Sequence, residues 1–202
     1  MTSSFQIFEI LDVLDSLKHL KRTGWVNCGV PEPETVACHM YRMAVLAMTL
    51  EGQIDGLDTV RAVKMALVHD IAESIVGDIT PHCGISNQDK FDLESQGSLN
   101  PVSNSTSVFK FQAIKRIATY VPNVGEEWIM LWREYEEAAS LTARVVKHLD
   151  KFDMIAQAEK YEQTHGINLQ QFFTSTSGVL TMEPFLTWDR ELREKRNQRI
   201  NQ

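Results

Sequence analysis

Ala66-Leu67-Val68-His69-Asp70-Ile71-Ala72-Glu73-Ser74-Ile75-Val76-Gly77-Asp78-Ile79 decides how this chain is read. Ala62, Ala66, His69 and Glu73 recur at the spacing of one helix face, with Asp70 turned about 100 degrees from His69. The spacing predicts a helix that opens at Asp58-Thr59 and stops near Gly77, a residue suited to the positive φ of a helix end. Asp78 then falls in a turn, and Pro81 opposes continuation. An imidazole and carboxylates on the inward side of an apolar helix are costly unless each is paired or coordinates a cation. The stretch therefore needs partners from elsewhere in the chain.

Two candidates lie on similar stripes. His39, Met43, Leu46 and Leu50 share one face of a helix expected from Glu34-Thr35 to about Leu50. Val146, Asp150 and Met154 do the same on a long helix expected from about Ala138 to Tyr161. A first helix is expected from Phe5 to Leu20, with Phe5, Phe8, Leu11, Val13, Leu14 and Leu17 inward, and residues 23–33 are expected as loop. No segment alternates like a strand, so the fold class is all-α. One domain is expected over 1–202, with a Ser/Asn-rich flexible loop at about 95–110 and a charged surface helix at about 188–202. No fixed repeat suggests a solenoid.

The 202 residues are 43% hydrophobic and 23% charged, ordinary for a globular domain. A net charge of −7 and a pI near 5.4 give no basic footprint for a nucleic-acid polymer or an anionic membrane surface. No apolar run approaches the roughly 20 residues of a membrane span, and the first residues do not resemble a signal peptide. An intracellular, cytoplasmic location is expected. Cys28, Cys38 and Cys83 show no paired spacing and read as reduced thiols.

His39, His69, Asp70 and Asp150 make a mixed nitrogen and oxygen set suited to Mn²⁺, Co²⁺, Mg²⁺, Zn²⁺ or Fe²⁺. An ion there can acidify water and polarise a phosphoryl oxygen. Glu73 would orient or deprotonate that water, and Asp78 would act near the leaving oxygen. Taken singly, His39 or Asp150 reads as a satisfied core residue; four such residues on three apolar faces carry the argument. His19 and His165 sit near helix ends, His82 reads as a loop residue, and His148 points to a different face from Asp150. Trp128 to Trp132 reads as core or subunit interface, and Lys147 and Lys151 either meet phosphate or face solvent.

Three segments carry a resemblance: Glu34 to Ala44 around His39, Ala66 to Ile79, and Val146-Lys147-His148-Leu149-Asp150-Lys151. They resemble the HD-domain metal-dependent phosphohydrolases, a helical-bundle family, and within it the HD domain-containing protein 2 group of 5'-deoxynucleotidases. The bacterial YfbR-like enzymes are more distant relatives. The resemblance implies His39, His69, Asp70 and Asp150 as ligands of the main metal, and Glu73 and Asp78 as the catalytic acidic pair. It also implies Glu73, Asp78 and Ile79 as ligands of additional metal, Arg22 as a phosphate contact, and a homodimer. Trp25 lies near the family's sugar-discriminating tryptophan at a different spacing. The chain departs from the pattern after Phe91, where acidic residues expected just before Ala113 are missing.

The leading expectation is hydrolysis of deoxyribonucleoside 5'-monophosphates, a small-molecule nucleotide substrate. Two alternatives stay open: the same site acting on another nucleotide phosphoester, or a metal- or nucleotide-binding scaffold without turnover.

Overall fold

The computed structural model describes residues 4–79 and 105–201. The expected all-α architecture holds: the described residues form helices joined by turns, plus one isolated antiparallel bridge between Lys21 and Thr35. Helix α1 is Ser4–His19, α2 Thr23–Asn27, α3 Val36–Thr49, α4 Thr59–Val68 and α5 Glu73–Val76. Then follow α6 Ser105–Tyr120, α7 Gly125–Glu137, α8 Leu141–His165, α9 Gln170–Ser175 and α10 Phe185–Ile200. Helix α8 runs through the centre, packed by α3, α4, α7, α9 and α10.

The cores of α3 and α4 explain their close packing. Ala44 and Ala47 on α3 and Ala62 and Ala66 on α4 are buried small residues, flanked by the fully buried Met43, Leu50 and Met65. Short side chains let two helix backbones approach while the thioethers fill the irregular gaps. Thr35 caps α3 by accepting from Cys38 N–H, and Asp58 caps α4 by accepting from Arg61 N–H. Among the described residues no helix is long and apolar enough to cross a membrane.

Several expectations are corrected. The helix read from Asp58 to Gly77 is interrupted: α4 ends at Val68, and residues 69–72 form a tight turn before α5. The amides of Ile71, Glu73, Ser74 and Ile75 bond back to carbonyls three residues earlier, at 3.0–3.2 Å. At three residues per turn, Asp70 and Glu73 come onto one side, in place of the predicted pairing of His69 with Glu73. Gly77 closes this segment with φ +80°, as its position suggested.

Helix α1 turns Ile10, Val13 and Leu17 inward and leaves Phe8, Leu11 and Leu14 exposed, because its packing face is set by α3, α5 and α6. Residues 23–27, expected as loop, form α2, which starts where Asp78 Oδ2 accepts the Thr23 N–H at 2.7 Å. Helix α8 starts at Leu141, capped by Ser140 accepting from Ala143 N–H, and runs on to His165 before Gly166 at φ +66°. Helix α6 begins at Ser105, so residues 105–110 of the expected loop are helical; residues 95–104 lie outside the described residues, as do His82 and Cys83. Helix α10 is more than a surface helix, since Phe185 and Arg196 are buried.

Candidate metal centre

Each candidate side chain is placed by a local feature of the chain. Arg22 N–H donates to Glu34 O at 3.0 Å and Val36 N–H to Leu20 O at 2.9 Å, so the segment carrying Arg22 is stitched to the start of α3. His39 lies one turn into α3, His69 caps the C-terminus of α4, and Asp150 sits midway along α8. Both imidazoles are about 1% exposed, so every polar atom on them needs a partner.

Half of that requirement is met within the protein. His39 Nδ1 is 2.8 Å from Asp153 Oδ2, and His69 Nδ1 is 2.9 Å from the Ala66 carbonyl. A carbonyl only accepts, so His69 donates from Nδ1 and turns Nε2 into the cluster. The Nε2 atoms of both rings are buried without a hydrogen-bond partner. His69 Nε2 stands 3.2 Å from Asp70 Oδ2; His39 Nε2 stands 4.0 Å from the same oxygen and 3.3 Å from Asp150 Oδ1. Ligand atoms of His39, His69 and Asp70 all fall within 4.8 Å of one another, with Asp150 adjoining. Two orphaned imidazole nitrogens converging on two carboxylates fit a divalent cation, and this cluster is able to bind one.

Charges around the cluster are strongly coupled. Burial pushes the Asp70 carboxyl up, but His69, Lys110 and Arg22 outweigh it and hold it well below the usual range. Asp150 behaves alike, with Lys151 and the two histidines opposing burial. Burial and Arg22 pull His39 down, while Asp150 and Asp153 raise it to about 9. For Glu73, burial and then Asp70 push the carboxyl up to about 9 against the pull of Lys110.

The structure brings Arg22, His39, His69, Asp70, Glu73 and Asp150 together. Arg22 Nη1 is 3.1 Å from Asp70 Oδ2. Glu73 is 2% exposed, with Oε2 unpartnered. Asp78 lies at the rim, where its carboxylate accepts from Thr23 N–H and its carbonyl from Thr23 Oγ1, both at 2.7 Å; Ile79 follows it, half-buried. Trp25 is buried, its indole N–H donated to Glu34 and its ring against Phe172 and Tyr161. His148 is held by the Arg144 carbonyl and Thr181 N–H.

Sequence reasoning missed three contributors. Asp153 orients His39 and is itself gripped by Arg42, which also reaches Gln157 and Glu34. Its position one turn after Asp150 was the available signal, since a metal-binding histidine commonly donates its second N–H to a carboxylate. Glu34, His39 and Asp153 form a second possible donor group, but Arg42 already neutralises it, so it supports the first. Tyr135 O–H donates to Asp150 Oδ2 at 3.2 Å. Lys110 donates to Glu73 Oε1 at 2.7 Å and lies 3.7 Å from Asp70 Oδ1. Beside Asp150, Tyr135, Arg144, Lys147, His148 and Lys151 line a cleft of about 310 Å³ whose basic wall suits an anion.

A sequence profile of the HD domain matches residues 14–185. A protein of Dictyostelium discoideum named 5'-deoxynucleotidase HDDC2 is 44% identical over 80% of this chain and 83% of its own length. The Homo sapiens protein of the same name is 38% identical over 91% of this chain and 82% of its own length. The crystal structure of the PH0347 protein from Pyrococcus horikoshii superposes with a TM-score of 0.67 at 31% identity, covering 95% of this chain and 98% of the other. A profile that spans most of the chain, and relatives aligned along most of both lengths, show that the chain belongs to the HD-domain family.

Proposed function

We propose that this chain is a metal-dependent phosphomonoester hydrolase that converts deoxyribonucleoside 5'-monophosphates to deoxynucleoside and phosphate. The observation that carries this reading is the pair of buried, unpartnered Nε2 atoms of His39 and His69 facing Asp70 and Asp150 beside Arg22. The substrate class comes from the relatives named 5'-deoxynucleotidase. His39, His69, Asp70 and Asp150 hold a divalent ion, with Mn²⁺, Co²⁺ or Mg²⁺ preferred and Zn²⁺ or Fe²⁺ as alternatives. When bound, the ion supplies positive charge to the phosphoryl group and acidifies water.

The protein's own residues do the rest. Arg22 presents a guanidinium that matches two phosphate oxygens in one plane. Glu73 Oε2, unpartnered and buried, orients the attacking water; with its carboxyl raised to about 9 by burial and Asp70, it serves as a base only once the ion's positive charge lowers it. Asp78, held at the rim by Thr23, stands near the departing 5'-oxygen. Arg144, Lys147 and Lys151 draw the anionic substrate toward Asp150. A homodimer is part of the same reading, supported by the exposed apolar row Ile7, Phe8, Leu11 and Leu14 along α1.

The test is a panel of 5'-deoxyribonucleotides and ribonucleotides with Mn²⁺, Co²⁺ or Mg²⁺, alongside cyclic nucleotides and a guanosine polyphosphate. Phosphate release from the 5'-deoxynucleotides is expected. No release from any of them by folded, metal-loaded protein would overturn the proposal. Asp153→Asn, which leaves the ligand set intact but weakens the grip on His39 Nδ1, is expected to lower Mn²⁺ affinity about 10- to 100-fold by calorimetry. An unchanged affinity would remove Asp153 from the assembly.

A further inference from the structure

Lys110 stands where no basic residue was anticipated. Helix α6 packs on α1 and α5 and delivers this lysine into the cluster, with its side chain 15% exposed. Its ammonium lies 2.7 Å from Glu73 Oε1 and 3.7 Å from Asp70 Oδ1, bridging the two carboxylates that the tight turn at 69–72 brings to one side. Glu73 Oε2 remains buried and unpartnered, so the carboxylate is only half satisfied and still faces into the site. Asp78 is already engaged through Thr23.

From this juxtaposition we infer that Lys110 serves as a built-in cation at the Glu73–Asp70 edge, in place of a second divalent ion, so that the chain works with one ion at His39, His69, Asp70 and Asp150. This rests on the proposed metal-dependent hydrolase and departs from the expectation that Glu73, Asp78 and Ile79 hold additional metal. The physical reason is competition for the same carboxylate. A second ion reaching Glu73 would sit at ion-pair distance from the ammonium in a poorly solvated site, where like charges repel far more strongly than in water. Lys110 is a positioning residue here, because it holds Glu73 Oε1 and leaves Oε2 as the free oxygen.

The experiment counts ions. Full-length protein is equilibrated with Mn²⁺, freed of unbound metal, and assayed by elemental analysis, with Mn²⁺ titrations followed by electron paramagnetic resonance. One ion per chain is expected for the wild type and for Lys110→Arg, which keeps the charge. Lys110→Gln, checked for folding by circular dichroism, is expected to take up a second ion, and Lys110→Gln with Glu73→Gln to return to one. A wild type that binds two ions, or a folded Lys110→Gln chain that stays at one, overturns the inference. Phosphate release by the wild type is measured separately: two bound ions with turnover would sink only the role of Lys110, and one ion without turnover on any 5'-nucleotide would sink only the hydrolase.

Discussion

Asp70→Ala is expected to remove bound metal from the chain and to lower phosphate release by about a thousandfold or more, the scale seen when a group central to transition-state charge is lost. Asp70 Oδ2 is the point on which the cluster converges, 3.1 Å from Arg22, 3.2 Å from His69 Nε2 and 4.0 Å from His39 Nε2. Its other oxygen faces Lys110. Without this carboxylate, two cations and two imidazoles face one another with only Asp150 and Glu73 between them, and a divalent ion loses both a ligand and the negative charge that offsets Arg22 and Lys110. Asp70→Asn keeps the shape and separates charge from packing. Elemental analysis and a phosphate-release assay check the outcome, with circular dichroism confirming helix content. A folded Asp70→Asn protein with full metal and full turnover would sink the assignment.

Glu162→Ala is expected to destabilise the fold by about 3–5 kcal/mol, because it strands a buried charge. Glu162 is 4% exposed and Arg196 6%. They form a two-pronged pair, Nε to Oε2 at 2.7 Å and Nη2 to Oε1 at 2.8 Å, joined by Arg199 and the Leu169 N–H. Burial raises the Glu162 carboxyl, but Arg196, Leu169 N–H and Arg199 outweigh it and lower it. With the glutamate gone, Arg196 keeps only Gln170 and the face of Phe173. For a chain of this size the melting temperature should fall by about 6–20 °C. Glu162→Leu with Arg196→Met should recover most of it, since apolar replacement of a whole buried pair is often neutral. Melting curves within about 2 °C of wild type for Glu162→Ala, well short of the shift expected at this size, would show the pair to be solvated in solution.

How far the site was legible follows from which interactions are local. His39, His69 and Asp150 announced themselves because each sits on an apolar stripe visible within one window of helical period. The break at residues 69–72 did not, because a three-residue turn and a four-residue turn carry the same apolar pattern over so short a span; only the bonding of Glu73 N–H to Asp70 O distinguishes them. The inward face of α1 was misread for a related reason. Phe8, Leu11 and Leu14 compete with Ile10, Val13 and Leu17, apolar residues spread over more than one face of the helix, and the choice belongs to the helices that pack on it.

The chain's periodicity, capping residues and glycines were enough to specify an all-α fold and to single out four candidate metal ligands, since those signals act within a few residues. Tertiary packing alone decided which carboxylates share a side, that Asp153 reaches His39 from 114 positions away, and that Lys110 reaches Glu73 across 37. It also decided that a charged terminal helix buries Arg196. Ion pairs of this kind depend on where two helix faces cross, and a crossing leaves no periodic trace in either helix.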